Sequence, residues 1–207
     1  MKPFSSLAIA LAAGLLAACA SPVTRYYSLA EPVAAAPART APPLVIELAP
    51  LALPERLARP QMVVRQPGDA SAQVEVLEQH RWSSSFESEL RDALAAGVAA
   101  RLGAVDATKG GRAGGPPSWR IAVQLRQFDA VEGSRVDAAL SWTLRRADAP
   151  QAAACQWSAS EPVGAGIDAL AQGARRLTAR AADAIASNLA AVAAAPSAPA
   201  VDCAGLR

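Results

Sequence analysis

Between Trp119 and Ser160 apolar and polar positions alternate with a period of two along three successive stretches. Trp119, Ile121, Val123 and Leu125 alternate with Arg120, Gln124 and Arg126. Val136, Ala138, Leu140, Trp142 and Leu144 alternate with Arg135, Asp137, Ser141, Thr143 and Arg145, and Cys155, Trp157 and Ala159 with Gln156, Ser158 and Ser160. Such alternation puts one face in the core and one in water, as in an antiparallel sheet. Glu132-Gly133-Ser134 and Ala147 to Gln151 supply the hairpin turns. Two further segments change the period. Phe86, Leu90, Leu94, Val98 and Leu102 recur every fourth residue and predict a helix from Ser84 to Leu102. Ser84 and Glu87 have capping-box spacing, Gly103 suits a left-handed stop, and Arg91 and Asp92 are expected towards water. Ile167, Leu170, Ala174, Leu177, Ala181, Ile185, Leu189 and Val192 predict a long helix over 167–192 that packs on the sheet, with Arg175, Arg176 and Arg180 off its apolar face.

The first half of the chain carries weaker signals. Leu44 to Leu48 reads as a strand closed by Pro50. Gln61 to Arg65 and Gln73 to Leu77, joined by the turn Pro67-Gly68-Asp69, read as a hairpin, and Tyr26 to Leu29 as a candidate edge strand. Pro54 and Pro60 bracket a short bent segment, and the Ala/Pro-rich stretch Ala34 to Pro43 reads as a linker or long loop. Lys109 to Pro117 is a glycine-rich loop without the strand–loop–helix setting or the Gly-Lys-Ser/Thr run that phosphate binding needs. The fold expected is α+β: an antiparallel or mixed sheet with two main helices packed on one face, in a single domain over 44–193. Residues 19–43 precede it, and 194–207, with Pro196 and Pro199, form a C-terminal tail.

Composition narrows the chemistry. The 207 residues are 52% hydrophobic, but much of that is Ala and only 4% are aromatic, so Trp82, Trp119, Trp142 and Trp157 are expected to fill much of the core. A formal net charge of +2 is too small to suggest a nucleic-acid partner. His80 is the sole histidine, so any Ser-His-Asp or Cys-His site must use it. No catalytic set is expected, and one His with distant cysteines makes no metal pattern and points to no cofactor.

The first nineteen residues bear on where the protein works. Lys2 gives a positive start, Phe4 to Leu16 an almost wholly apolar run, and Leu16-Ala17-Ala18-Cys19 ends it with small residues before a cysteine. The run is shorter than the ~20 residues of a membrane-spanning helix. It reads as a signal peptide over 1–18 with a lipobox, so Cys19 is the expected lipidation site and a covalent lipid the only attached group. Two or three acyl chains on one residue meet the requirement for stable anchoring. In an oxidising compartment the other two cysteines, Cys155 and Cys203, are expected to pair.

In order along the chain come the lipobox, Tyr27-Ser28-Leu29, Leu53-Pro54 with Leu57, Arg59-Pro60-Gln61, Val63-Val64-Arg65, His80-Arg81-Trp82, Arg126, Phe128-Asp129, Ala139, Trp142 and Leu144. In these the sequence resembles the PqiC-type ABC-transport auxiliary lipoproteins, which accompany MCE-domain lipid transporters in Gram-negative envelopes. Two departures stand out. Ala58 occupies a position that is often acidic, and Ser83-Ser84-Ser85-Phe86 replaces an Ala-Glu-Pro-Leu-like run. The resemblance implies a non-enzymatic accessory protein, tethered to the periplasmic face of the outer membrane and partnering an MCE subunit, with a homo-oligomer allowed. Ala20 agrees with outer-membrane sorting. Arg56, Arg59, Gln61, Arg65, His80 and Arg81 are the candidate partner or lipid contacts, because guanidinium forks suit carboxylates and lipid phosphates. The alternatives are an envelope hydrolase that depends on His80 and a structural outer-membrane assembly lipoprotein.

Overall fold

The computed structural model describes residues 22–31, 44–66, 73–110, 118–149 and 152–194. Cys19, Cys203, the signal segment, the Pro67-Gly68-Asp69 turn and the C-terminal tail beyond residue 194 lie outside the described residues, as does most of the glycine-rich loop.

The alternating stretches form the sheet they predict. β6 (Trp119–Val131), β7 (Arg135–Arg146) and β8 (Ala152–Pro162) pair antiparallel, with Gly133 at φ 66° in the first turn. β2 (Val45–Leu48) adds parallel to β6, and the two-residue β5 (Val105–Asp106) pairs parallel with β2. The sheet is therefore mixed, in the order β5-β2-β6-β7-β8. β6 runs past the predicted alternation because of a bulge. The register shifts between Leu125 and Gln127, so Phe128 and Ala130 continue the buried face that Trp119 to Leu125 began. One extra residue reverses the parity of the strand while the face stays apolar.

A second sheet contains β1 (Arg25–Tyr27), β4 (Glu75–Trp82) and β3 (Gln61–Val64), in the order β1-β4-β3. The expected hairpin is present, since β3 and β4 are antiparallel, and β1 is an edge strand parallel to β4. β4 extends five residues beyond the predicted Leu77, so His80 lies within a strand rather than at its junction with a helix. The sheets meet along one edge of β6, where Ala52 bridges Gln124 and Arg65 bridges Val131. Between these bridges a 3-10 turn at Glu55–Leu57 tucks Leu57 into the core.

Helix α1 (Phe86–Leu102) starts one residue later than a Ser84 cap would allow. Ser85 is the N-cap and accepts from the Ser88 amide, and Gly103 ends the helix at φ 56°. The expected Ser84–Glu87 box does not form. Glu87 accepts instead from the Leu51 amide (3.0 Å), a passing backbone donor that would otherwise lack a partner. Arg91 also departs from expectation: its guanidinium donates to Leu48 O at 3.1 and 2.9 Å, tying α1 to β2 rather than facing water. Asp92 accepts from Lys109.

Helix α2 (Ile167–Ala194) buries Leu170, Ala174, Leu177, Ala181, Ile185 and Leu189 against β6, β7, β8 and α1. The helices cross closely at Gly97, where an added Cβ would stand 2.7 Å from Ala182 Cβ. Arg101 and Asp183 form an ion pair across the same crossing. All four tryptophans are buried, and Trp142 donates from Nε1 to Asn188 Oδ1 (3.0 Å). Cys155 is buried on β8 and disulfide-bonded; Cys203, its expected partner, is not among the described residues. No described helix is long and apolar enough to cross a membrane.

Candidate functional site

The structure divides the predicted contact residues among separate places, and strand geometry explains why. Cross-strand partners share a face of a sheet and successive residues alternate. Tyr26, Arg81 and Gln61 are cross-strand partners in sequence across β1, β4 and β3, so they form one row. Tyr26 is 65% exposed, so this is the solvent face of the small sheet. Glu78 gathers the row: Arg81 donates to its carboxylate (3.1 Å) and carbonyl (2.8 Å), and Gln61 Nε2 donates to the same carboxylate (3.2 Å). Thr24 extends the row by donating to Gln79 Oε1 (3.1 Å). Tyr26 is absent from the sequence expectations for this surface. It lies 55 positions from Arg81 in sequence, and only the parallel pairing of β1 with β4 brings them together.

His80 turns to the opposite face with its cross-strand partner Arg25, beside the pair Tyr27 and Trp82. Its Nδ1 lies 2.8 Å from Tyr27 Oη, and Tyr27 Oη donates to Asp168 Oδ1 (2.7 Å) in the first turn of α2. With the phenolic proton committed to Asp168, the hydrogen-bond pattern assigns the His80 proton to Nδ1. Burial of the ring, aided by the hydrogen bond and charge of Asp168, pushes the Tyr27 phenol up to about 12; Arg25, paired with Asp168 at 3.4 Å, opposes this. The described hydrogen-bond partner of the His80 ring is the Tyr27 hydroxyl, not a Ser or Cys side chain.

Glu89, buried in the first turn of α1, is a further residue absent from the sequence expectations. Its carboxylate accepts from Ser28 Oγ and the Leu29 amide at 3.0 Å each, from Ser84 Oγ at 3.3 Å, and from Ser83 Oγ. The Tyr27-Ser28-Leu29 motif is thereby locked to the helix start. The serines that replace the Ala-Glu-Pro-Leu-like run are two of the donors. A Glu near a helix start carries no sequence mark of this role, because two of its donors come from positions some sixty residues away.

Of the remaining candidates, Arg56 and Arg65 meet at Asp129 beyond the end of β3, and Arg59 precedes its start. Arg56 and Arg65 approach Asp129 Oδ1 at 3.6 and 3.7 Å, and Arg56 also donates to Phe128 O (3.5 Å). Arg59 is exposed, and its side chain has no described partner. Half-exposed pairs of this length hold the fold together only weakly, so the guanidinium group of Arg56 keeps donor capacity for an outside acceptor.

Beneath this end runs an apolar cleft of about 280 Å³ including its open mouth, lined by Leu57, Met62, Trp82, Phe86, Phe128 and Leu170 among others. The enclosed space between these mostly core walls is about that of one water molecule, far below a small-molecule site of roughly 300 Å³. It is a seam between the sheets rather than a cargo chamber. Among the described residues no group of three or more His, Cys, Asp or Glu could hold a metal ion.

Among curated proteins no relative matches the chain. Its fold recurs in crystal structures, among them the following two. One, of an uncharacterized protein, is 19% identical and covers 81% of this chain and 99% of its own at a TM-score of 0.64. The other, of a Xanthomonas campestris protein assigned to DUF330, is 15% identical and covers 76% and 90% at a TM-score of 0.56. The family of ABC-type transport auxiliary lipoprotein components matches residues 27–186, from the tyrosine locked beside Asp168 to near the end of the second helix, and the chain belongs to that family.

Proposed function

We propose that the protein is a non-catalytic accessory of an ABC/MCE intermembrane lipid-transport system, held on the periplasmic face of the outer membrane by a lipid on Cys19. The observation that carries this reading is the family match, which begins at Tyr27, eight residues after the lipobox cysteine. The described geometry supports an adaptor. The apolar seam is too small for lipid cargo, while the exposed Arg56 and Arg59 offer guanidinium donors in the turn that leads into the small sheet. In this reading those arginines meet carboxylates of an MCE subunit, and the anchor keeps the domain where the transporter ends.

Cys19→Ala tests the anchor. The expected product is folded, released from the membrane, and unable to restore envelope integrity to a strain lacking the gene. Full restoration by the released form would overturn the reading. An envelope hydrolase would instead lose a measurable activity on His80→Ala, and no observation on the His80 environment favours it.

A further inference from the structure

We infer that the β1 edge of the small sheet, where Val23 and Tyr26 are exposed, rests on the lipid bilayer surface. The inference depends on the lipidation of Cys19 proposed above, and its first support is the length of the leash. Val23 follows Cys19 by four residues, which span at most about 14 Å even fully extended. The domain does not swing on a longer linker, because the chain is fixed almost at once. β1 pairs with β4, the Ser83 amide donates to Tyr27 O (2.8 Å), and Glu89 holds Ser28 and Leu29.

The second support is what the fold exposes at that point. Among the described residues three large apolar side chains are exposed: Val23 at 84%, Tyr26 at 65% and Val105 at 41%. Two of the three stand at the end of the leash, and Val105 is on β5, in the other sheet. A tyrosine ring, apolar in its body and polar at its hydroxyl, suits the headgroup level of a bilayer. The nearby cations stand beside acidic partners, Arg25 by Asp168 and Arg81 by Glu78, so the patch carries no surplus positive charge. The contact is therefore made by apolar and amphipathic surface, and a zwitterionic bilayer suffices for it.

The test uses the full lipidated chain in phosphatidylcholine vesicles, with Tyr26→Trp and, separately, Val105→Trp as probes. The four native tryptophans are buried and give a common background. The inference predicts that the added emission of Tyr26→Trp shifts to the blue on reconstitution and is quenched by brominated acyl chains, whereas that of Val105→Trp does neither. Vesicle flotation reports anchoring separately, so a chain that fails to float counts against lipidation, not against the contact face. A floating Tyr26→Trp chain whose added emission stays red-shifted and unquenched overturns the inference, as does equal quenching of the two probes. A blue shift without quenching means that a second copy covers the face, and likewise overturns it.

Discussion

The two sheets are held in different ways. The five-stranded sheet is buried by area: its inner face, carrying Trp119, Val123, Leu140, Trp142 and Trp157, is roofed by two helices that themselves cross closely at Gly97. The three-stranded sheet buries Met62, Val64 and Trp82 in the same core and is clasped in addition by polar groups. Glu89 takes the Leu29 amide and Asp168 the Tyr27 hydroxyl. Apolar burial is insensitive to the identity of outward residues, whereas polar clasps fix one segment in one place. The larger sheet is thus the scaffold, and the smaller one presents a defined surface beside the anchor.

The largest effect is expected in the scaffold. Trp142→Ala removes a buried ring and orphans Asn188, and should cost about 3–5 kcal/mol, seen as a lower urea midpoint of one cooperative transition. A transition that splits, leaving the small sheet intact, would break the comparison. Next, Cys203→Ser should cost about 2–4 kcal/mol if it opens a loop of roughly 50 residues closed on Cys155. A thiol count on the unreduced chain should find neither cysteine free. Glu89→Gln comes third, at about 1–3 kcal/mol, because one carboxamide cannot accept from four donors. Hydrogen exchange should quicken at Tyr27 to Leu29 and remain slow in β6 to β8.

The smallest effect in this series comes from Tyr27→Phe, about 1 kcal/mol at neutral pH. Its pH dependence carries a sign. The phenol titrates near 10 when unfolded and is pushed up to about 12 in the fold, so the neutral form is favoured by folding. The contribution is fully present below pH 10 and is lost as the pH rises through 12. The stability difference between wild type and Tyr27→Phe should shrink across that window; a difference that grows there would refute the clasp.

The sequence and the structure agree where one physical signal dominates. β7 and β8 are legible because each has one wet and one dry face, and α2 because its stripe is long. β6 is only partly so, since the bulge at Arg126 reverses the parity and hides Phe128. The register jump between β3 and β4 accompanies a broken alternation at Glu78 to His80, so pattern alone stops β4 short. The contact surface is half legible. Arg81 and Gln61 can be singled out by residue type, but Tyr26 needs a tertiary pairing. His80 and Arg81, neighbours in sequence, fall on opposite faces. The cap at Ser85 rather than Ser84 reflects competition for Glu87 by the Leu51 amide, a donor that no local pattern includes.

The most direct measurement is recovery of an MCE subunit with the full lipidated chain extracted from envelopes, compared between wild type and the combined Arg56→Ala, Arg59→Ala variant. The Arg56–Asp129 pair should cost no more than about 1 kcal/mol, and Arg59 is exposed, so the variant is expected to stay folded and anchored. The account predicts that wild type retains the MCE subunit and the variant loses it. A wild-type chain that brings down no such subunit, or a variant that retains it undiminished, would contradict the account.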